Sequence, residues 1–408
     1  MKTVSDVIVA GGGPSGSFTA LSLAKHGVNV DVFEEHNEIG LPSHCPGHLS
    51  INGLKSLGLY PLPSGIVENT FYGAVFHSPK GKGFTVRLFN PVTCSVNRSL
   101  FDKHLAEMAE KAGAQYHLDS RVESPIVESG FVRGVIVKQR GETGKVFAKI
   151  VVDAEGVSSR ILRQAGLPSL NRGMLVNGVQ AEVERVKDIE PNMVEVFLGN
   201  EYAPGFYAWL IPSKDGEKAK VGLATKTGNP KLLLQRFMLK HPVASKKLRI
   251  ARILHAAFHP IPLGGPIPKA CSNGFLAVGD AASQVKPTTG GGVIFGLTCA
   301  RVAAEVAYEA LRSNDLSEKF LSAYQRQCRA LLGFDVNMML KIRKTLDAMT
   351  DEQFDEIIGF CTRLNLAKPL QSVEDIDFQG RSLLHLLRSP RMLTALFYFF
   401  LVYLSANP

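Results

Sequence analysis

Val7, Ile8 and Val9 run directly into glycines at positions 11, 13 and 16, and this junction constrains the fold more than any other part of the chain. An apolar β-branched run reads as a buried parallel strand, and G-x-G-x-x-G spacing marks where such a strand turns into a helix. Gly11 permits the tight turn, Gly13 lets a pyrophosphate approach the main chain, and Gly16 lets the helix pack close on the strand. Ser15 sits in the same loop. The phosphates of a dinucleotide would rest on the positive end of the helix. A second apolar segment, residues 30–33, leads into Glu34, where a carboxylate can accept hydrogen bonds from an adenosine ribose; Glu35 follows it. Strand, glycines, helix, strand and acid in register predict a Rossmann-like unit.

With 408 residues, 45% of them hydrophobic, the chain can build two or three domains. Cys45, Cys94, Cys271, Cys299, Cys328 and Cys361 form no C-x-x-C pair, and the first strand begins within ten residues of Met1, so free thiols in a reducing cytoplasm are expected. A formal charge of +9 suits anionic lipid headgroups, a phosphorylated substrate or an acidic protein donor. No arginine-rich block or nucleic-acid motif is present, which argues against nucleic acid as a partner. The longest apolar run, residues 392–404, falls short of the roughly 20 residues needed to cross a bilayer. Arg388 and Arg391 precede it, and Tyr398 and Tyr403 lie within it. Peripheral docking on the inner face of a membrane and packing on the core are both compatible with this pattern.

Along the chain, the first helix is expected to end at His26 and Gly27. Residues 41–94 lose the helical period, with strands over 71–76 and 84–88 around a turn at 78–83. A helix is predicted from Ser99 to about Ala112, and short strands over 122–151 around Gly130 and Gly141. Further strands are expected over 193–198, 206–211 and 220–224, and the last hundred residues read as helical.

A second strand-to-helix junction decides which nucleotide is expected. Residues 275–278 read as a buried strand ending in Gly279 and Asp280, and Gly290, Gly291 and Gly292 open an apolar helix over 293–310. Such a junction offers a carboxylate for a polyol hydroxyl and a helix N-terminus for negative charge. A reduced flavin needs both, through its ribityl chain and its anionic N1/O2 edge.

These elements, together with Arg98 in the segment 96–102 and with Pro287, resemble the FAD-binding motifs of glutathione-reductase-type flavoproteins of the p-hydroxybenzoate hydroxylase branch. Within that branch, residues 204–212, followed by Val221 and Gly222, are similar to the substrate-domain signature of the geranylgeranyl reductases, including the archaeal digeranylgeranylglycerophospholipid type. The resemblance covers about the first 310 residues. It implies FAD as cofactor, Arg98 against its phosphates and Asp280 against its ribityl hydroxyls. The cofactor set it implies is Gly11, Gly13, Ser15, Gly16, Glu34, Glu35, Cys45, Arg98, Val122, Gly279, Asp280, Gly291 and Gly292. A cation at the start of a helix opposes the helix dipole unless an anion lies nearby, which favours the phosphate role for Arg98. Two departures stand out. The branch commonly has an Asp-Gly pair after the small insertion, where this chain has Asp153, Ala154, Glu155 and Gly156. The substrate signature often ends in Gly-x-Gly, where this chain has Gly222, Leu223 and Ala224.

The expected architecture is α/β. It comprises a Rossmann-like FAD domain from 1–70, 95–168 and 270–310, an antiparallel-sheet substrate domain from 71–94 and 169–269, and a C-terminal helical region from 311–408. With one dinucleotide fingerprint, electrons would come from a transient donor, a ferredoxin or NAD(P)H. Alternation places Tyr207 and Trp209 on one face of a strand, where aromatic rings can line a dry cavity and attract developing positive charge; packing of the sheet is the alternative role for that face. Cys45, flanked by His44 and His48, stands where the family often carries a cysteine near the flavin, to relay a proton or to shape the isoalloxazine site. Three ligands without a fourth argue against a metal there. The leading function is reduction of C=C bonds in geranylgeranyl chains of an isoprenoid or ether lipid, with Cys45, Tyr207 and Trp209 as catalytic candidates. A flavin-dependent halogenase is the alternative, because residues 207–212 approximate W-x-W-x-I-P with tyrosine in place of the first tryptophan. An aromatic monooxygenase and a non-enzymatic flavin module follow.

Overall fold

A computed structural model describes residues 5–373 and 375–406, with the side chains of the terminal helix described up to residue 399. The chain divides into two units. One comprises Met1–Ser43, Arg98–Gly173 and Pro262–Phe334; the other comprises His44–Asn97, Met174–Ile261 and Asp335–Pro408.

The first unit is built on a sheet in the order Cys271–Ser272, Phe275–Ala277, Glu142–Asp153, Ser5–Ala10, Val30–Phe33 and Gln115–His117. All neighbours in it are parallel except the first pair. Val7, Ile8 and Val9 are fully buried, as a central parallel strand covered on both faces requires. The helix Pro14–Ala24 follows the first strand, and the chain reverses beyond it at Gly27 in the left-handed region, φ +74°. The helix Arg98–Lys111 begins one residue before the expected position. Ser120–Glu128, Phe131–Gln139 and Glu142–Asp153 form an antiparallel meander of strands 9, 9 and 12 residues long, longer than anticipated. The third strand belongs to both layers: its start pairs in the meander and its end pairs with Ser5–Ala10.

The second unit carries a seven-stranded sheet in the order Arg252–Pro262, Leu175–Glu184, Lys218–Thr225, Tyr207–Pro212, Val194–Leu198, Gly73–His77 and Gly83–Arg87. From Leu175–Glu184 to Gly83–Arg87 it is antiparallel apart from the parallel pair Val194–Leu198 with Gly73–His77. Val179, Ala181, Phe197, Ala208, Leu210, Val221 and Leu223 face the helix Pro230–Lys240 and pack on its Leu234, Phe237 and Met238. The six C-terminal helices run from Val293–Ser313 to Pro390–Ala406.

Four sequence expectations differ from the structure. Residues 71–76 do not form one strand: Val67–Phe71 pairs with Thr93–Val96 in a small sheet that also holds His48–Ser50, whereas Gly73–His77 joins the large sheet. The break falls at Tyr72, whose N–H is taken by Asn192 O at 3.0 Å. Residues 44–70 group with the second unit, because Asn69 Nδ2 donates to Pro191 O and Pro212 O, at 2.7 and 3.0 Å, and Lys220 Nζ donates to Pro46 O at 3.1 Å. A short helix, Ile51–Ser56, lies in the stretch expected to be non-helical, with the Ser50 side chain accepting from Gly53 N–H. The C-terminal helices do not form a region of their own either. Tyr324, fully buried, donates to Ala277 O at 2.8 Å in the first unit, while Phe354, Ile357 and Ile358 pack on Phe84 in the second.

The terminal helix Pro390–Ala406 combines features of both readings of the apolar tail. Met392 and Ala395 are buried and Tyr398 stacks on Phe360 at 4.2 Å, while Leu393 and Phe397 are exposed. The expected Tyr403 anchor lies outside the described side chains.

Phe237 is fully buried at the centre of the sheet–helix core, in edge-to-face contact with Phe197 at 4.9 Å. Phe237→Ala is expected to destabilise the protein by about 3–5 kcal/mol, measured as a lowered denaturant midpoint with an unchanged m-value.

Candidate functional site

The candidates divide between the units: the dinucleotide set lies in the first, and Cys45, Tyr207 and Trp209 lie in the second.

In the first unit, the strand Ser5–Ala10 and the helix Pro14–Ala24 approach so closely that no side chain fits at the junction. A Cβ on Gly16 would stand 1.9 Å from Gly11 O, and one on Gly11 would stand 2.5 Å from Ala154 O. Gly13, the residue before the helix, has open space where a side chain would go, and the first turn of the helix holds no acid. Ser15 Oγ lies 2.6 Å from the Cβ position of Gly279 and 2.5 Å from that of Gly296, so the two glycine-rich junctions are in contact with each other.

Glu34 accepts from Gly12 N–H at 2.8 Å and from His36 N–H at 3.0 Å, which fixes its carboxylate at the end of the second strand. Glu35 is half-exposed, 3.4 Å from Arg121 Nε. Val122 is buried, and its carbonyl accepts from Arg160 Nη2 at 2.6 Å. Arg98 lies against Asp102, with Nε and Nη2 at 3.1 and 2.9 Å from the two carboxylate oxygens. The anion that offsets a cation at this helix start is therefore present in the chain, and the dipole argument alone does not call for a phosphate beside Arg98.

Asp280 lies in the turn Gly279–Ala282, with Oδ1 2.9 Å from the Cβ position of Gly292. Gly279 N–H is held by Gln284 Oε1 at 2.7 Å, and Gln284 is held in turn by Tyr324 at 2.5 Å. Gly290 and Gly291 close the loop through backbone bonds with Lys286. Burial pushes the Asp280 carboxyl up to about 6, against the pull of Arg98. Asp153, fully buried with Oδ2 unpartnered among the described residues, is raised well above its ordinary value by the same cause. Glu155, at the family's departure, accepts from Ile161 N–H at 2.5 Å and so caps the helix Arg160–Gln164.

In the second unit, register aligns three rows on the sheet face opposite the helix Pro230–Lys240. Trp209 pairs with Gly222, and Gly222 pairs with Gln180. Ile211 pairs with Lys220, and Lys220 with Glu182; Ala224 pairs with Gly178, and Tyr207 pairs with Leu198. The Trp209 ring lies across the glycine, its Cζ2 2.5 Å from where a Gly222 Cβ would stand. Trp209 Nε1 and Gln180 Oε1 are both buried without a partner among the described residues. Tyr207 is edge-on to Trp209 at 5.9 Å and stacked on Phe206 at 4.3 Å. Burial raises its phenol, and Arg343 opposes that shift. Arg343, almost fully buried, lies over Phe206 at 5.5 Å and bonds Asp347 at 2.8 Å; Lys226 also bonds Asp347. Cys45 is half-buried, 3.5 Å from Gly47 N–H. Its neighbour Pro46 is held by Lys220, which also bonds Glu68 at 2.5 Å. His44 stacks on His259 at 3.7 Å, and His48 bonds Thr93 at 2.7 Å.

Residues 4–231 match the FAD binding domain family, and residues 223–378 match the lycopene cyclase protein family. The chain is 35% identical to the digeranylgeranylglycerophospholipid reductase of Methanocaldococcus jannaschii, over 88% of this chain and 90% of that protein. It is 36% identical to a second such reductase from Methanothermobacter thermautotrophicus, over 94% and 95%.

The chain belongs to the digeranylgeranylglycerophospholipid reductase family.

Membership makes it an FAD-dependent oxidoreductase. A geranylgeranyl bacteriochlorophyll reductase-like structure from Thermoplasma acidophilum superposes with a TM-score of 0.86 at 27% identity, covering 97% of this chain and 99% of that one. The flavin-dependent brominase Bmp2 superposes at 0.72 with 18% identity, over 93% of each chain, a likeness of fold alone. FAD fits the first unit of this reductase on its own geometry: a glycine cradle that a single Cβ would fill, an open helix N-terminus at Gly13 and a buried carboxyl at Asp280.

Gln180, Lys220 and Arg343 were passed over in the sequence. Gln180 alternates with the core residues Val179 and Ala181, but its partner row becomes visible only once the register is known.

Two expectations follow. The raised Asp280 carboxyl makes the folded chain hold that proton more tightly than the unfolded chain. Its contribution is full below the ordinary value of 3.8 and lost as pH rises through about 6. In cofactor-free protein, Asp280→Asn should therefore flatten the gain in Tm on acidification through this window, leaving the contribution of the same sign from Asp153; an unchanged slope in thermal melts would count against it. A methyl at Gly222 meets both the Trp209 ring and Val179 O at 2.5 Å. Gly222→Ala should cost about 1–3 kcal/mol and shift the emission of Trp209, the single tryptophan.

Proposed function

We propose that this protein adds hydrogen across the isolated C=C bonds of geranylgeranyl chains carried by a digeranylgeranylglycerophospholipid. Identity of 31–36% to reductases of that name, over 86% or more of the chain, carries the reading. When bound, FAD supplies a hydride for one alkene carbon.

The chain's own residues then have distinct tasks. Gly11, Gly13 and Gly16, with Ser15 packed behind them, bring backbone N–H groups and the helix end to the pyrophosphate. Glu34 takes a ribose hydroxyl with its remaining lone pairs, and Glu35 and Val122 flank the adenosine side. Asp280 takes ribityl hydroxyls, whose donation favours its charged form, while Gly279, Gly291 and Gly292 keep backbone near the flavin. Arg98, held by Asp102, adds positive potential beside Asp280.

Tyr207 and Trp209 exclude water from the alkene and present aromatic faces to the positive charge that grows on a tertiary carbon. The second alkene carbon needs a proton. Tyr207 keeps its phenolic proton at working pH because burial raises it, and Cys45 is the other proton-bearing group among the candidates. Electrons reach the protein through a transient donor, an acidic ferredoxin or NAD(P)H, which the net charge of +9 favours by steering. The exposed Leu393 and Phe397 of the terminal helix provide peripheral contact with the membrane that holds the lipid.

Dithionite-reduced enzyme under anaerobic conditions should add hydrogen to geranylgeranyl diphosphate or a digeranylgeranyl lipid, seen by mass spectrometry as gains of hydrogen pairs. Trp209→Ala should lower the rate or change the extent of reduction while FAD stays bound. No mass gain on either substrate, with halide-dependent product from an aromatic, would replace this reading with the halogenase.

A further inference from the structure

Residues 218–261 hold ten Lys and Arg and no Asp or Glu, the strongest charge asymmetry in the chain. The same segment contains the edge strand of the large sheet, Arg252–Pro262. Residues 252–256 are exposed without interruption, so neighbouring side chains on both faces of the strand reach solvent. Ile250, Ile253, Leu254 and Phe258 are 57, 43, 45 and 54% exposed. Edge strands are ordinarily blunted by charge, proline or a covering element. Here Pro260 and Pro262 protect only the far end, and Arg252 is drawn aside to Glu184 at 2.7 Å. Lys231, Lys240, Lys246 and Arg249 are exposed and make no ion pair among the described residues.

We propose that this projecting apolar edge, with the unpaired cations of Lys240, Lys246 and Arg249, is the face that docks the protein on an anionic lipid surface. The proposal rests on the lipid-substrate reading and extends it to a surface other than the terminal helix. Apolar side chains enter the interfacial zone, and each nearby cation adds attraction to acidic headgroups. Charge complementarity selects the occupant: a second copy paired edge to edge would bring two acid-free basic segments together, whereas an anionic membrane neutralises them. The exposed hydrophobics flank the cations in sequence, which suits a partner that is charged at its surface and apolar just beneath.

The test uses full-length, FAD-loaded protein and vesicles of phosphatidylcholine with or without phosphatidylglycerol. Wild type should co-sediment with the anionic vesicles, weakly with neutral ones, and be released near 1 M salt, where the Debye length falls to about 3 Å. Lys246→Glu with Arg249→Glu, and separately Leu254→Asp with Phe258→Asp, should each lower partitioning at least about tenfold, while reduction of soluble geranylgeranyl diphosphate stays at the wild-type rate. Wild-type partitioning by both variants would overturn the proposal. Loss of binding through Phe397→Asp, with both edge variants binding as wild type, would overturn it in favour of the terminal helix. Conversion of a dimer to a monomer by Leu254→Asp, with vesicle binding intact, would overturn it in favour of an interface between copies. Failure of wild type to reduce any prenyl chain would count against the proposed function and leave the vesicle result standing.

Discussion

The contact between Gly16 and Gly11 O is the constraint on which the first unit depends. A Cβ at 1.9 Å from a backbone oxygen cannot be absorbed by a rotamer change, so the first helix reaches its strand only because residue 16 has no side chain. That approach carries Ser15 toward Gly279 and Gly296, where two further absent side chains make room for its hydroxyl. Two junctions separated by more than 250 residues of chain thus become one surface. Gln284 and Tyr324 brace the second junction from behind, tying it to the long helix Glu318–Ala348.

The second unit depends on register. Its helix-facing residues form an unbroken apolar layer, and the opposite face carries the mixed row Trp209, Gly222 and Gln180. A one-residue slip would exchange the two faces. The parallel pairing of Val194–Leu198 with Gly73–His77 brings a distant segment into the sheet, and His77 and Lys247 meet the buried Glu195 from opposite sides of the sequence, at 2.8 and 2.6 Å.

Much of this was legible before the coordinates. The glycine junctions were, because glycine at fixed spacing reports a steric requirement that is local. The shared face of Tyr207 and Trp209 was, because alternation is a property of any strand. What escaped were features that depend on partners far away in sequence. The break at Tyr72 separates two sheets through a bond to Asn192, and nothing within residues 71–76 signals it. Residues 44–70 followed Asn69 and Lys220 into the second unit for the same reason. Arg98 shows what local reading overlooked: Asp102 was in view four residues on, and the ion pair between them removes the dipole argument for a phosphate without bearing on the phosphate contact itself.

The row Trp209, Gly222 and Gln180 makes the aromatic face selective in a way that its rings alone would not. An indole N–H and an amide oxygen without partners cost about 1–3 kcal/mol each when buried dry. A stretch of pure hydrocarbon laid across them would seal in that penalty. A water or a hydroxyl, which can accept from the indole N–H and donate to the amide oxygen, would remove it. A guest laid along this face would therefore meet small and aromatic groups toward Ala224 and Tyr207, the charged Lys220 and Glu182 on the other side, and between them one donor and one acceptor still to be satisfied.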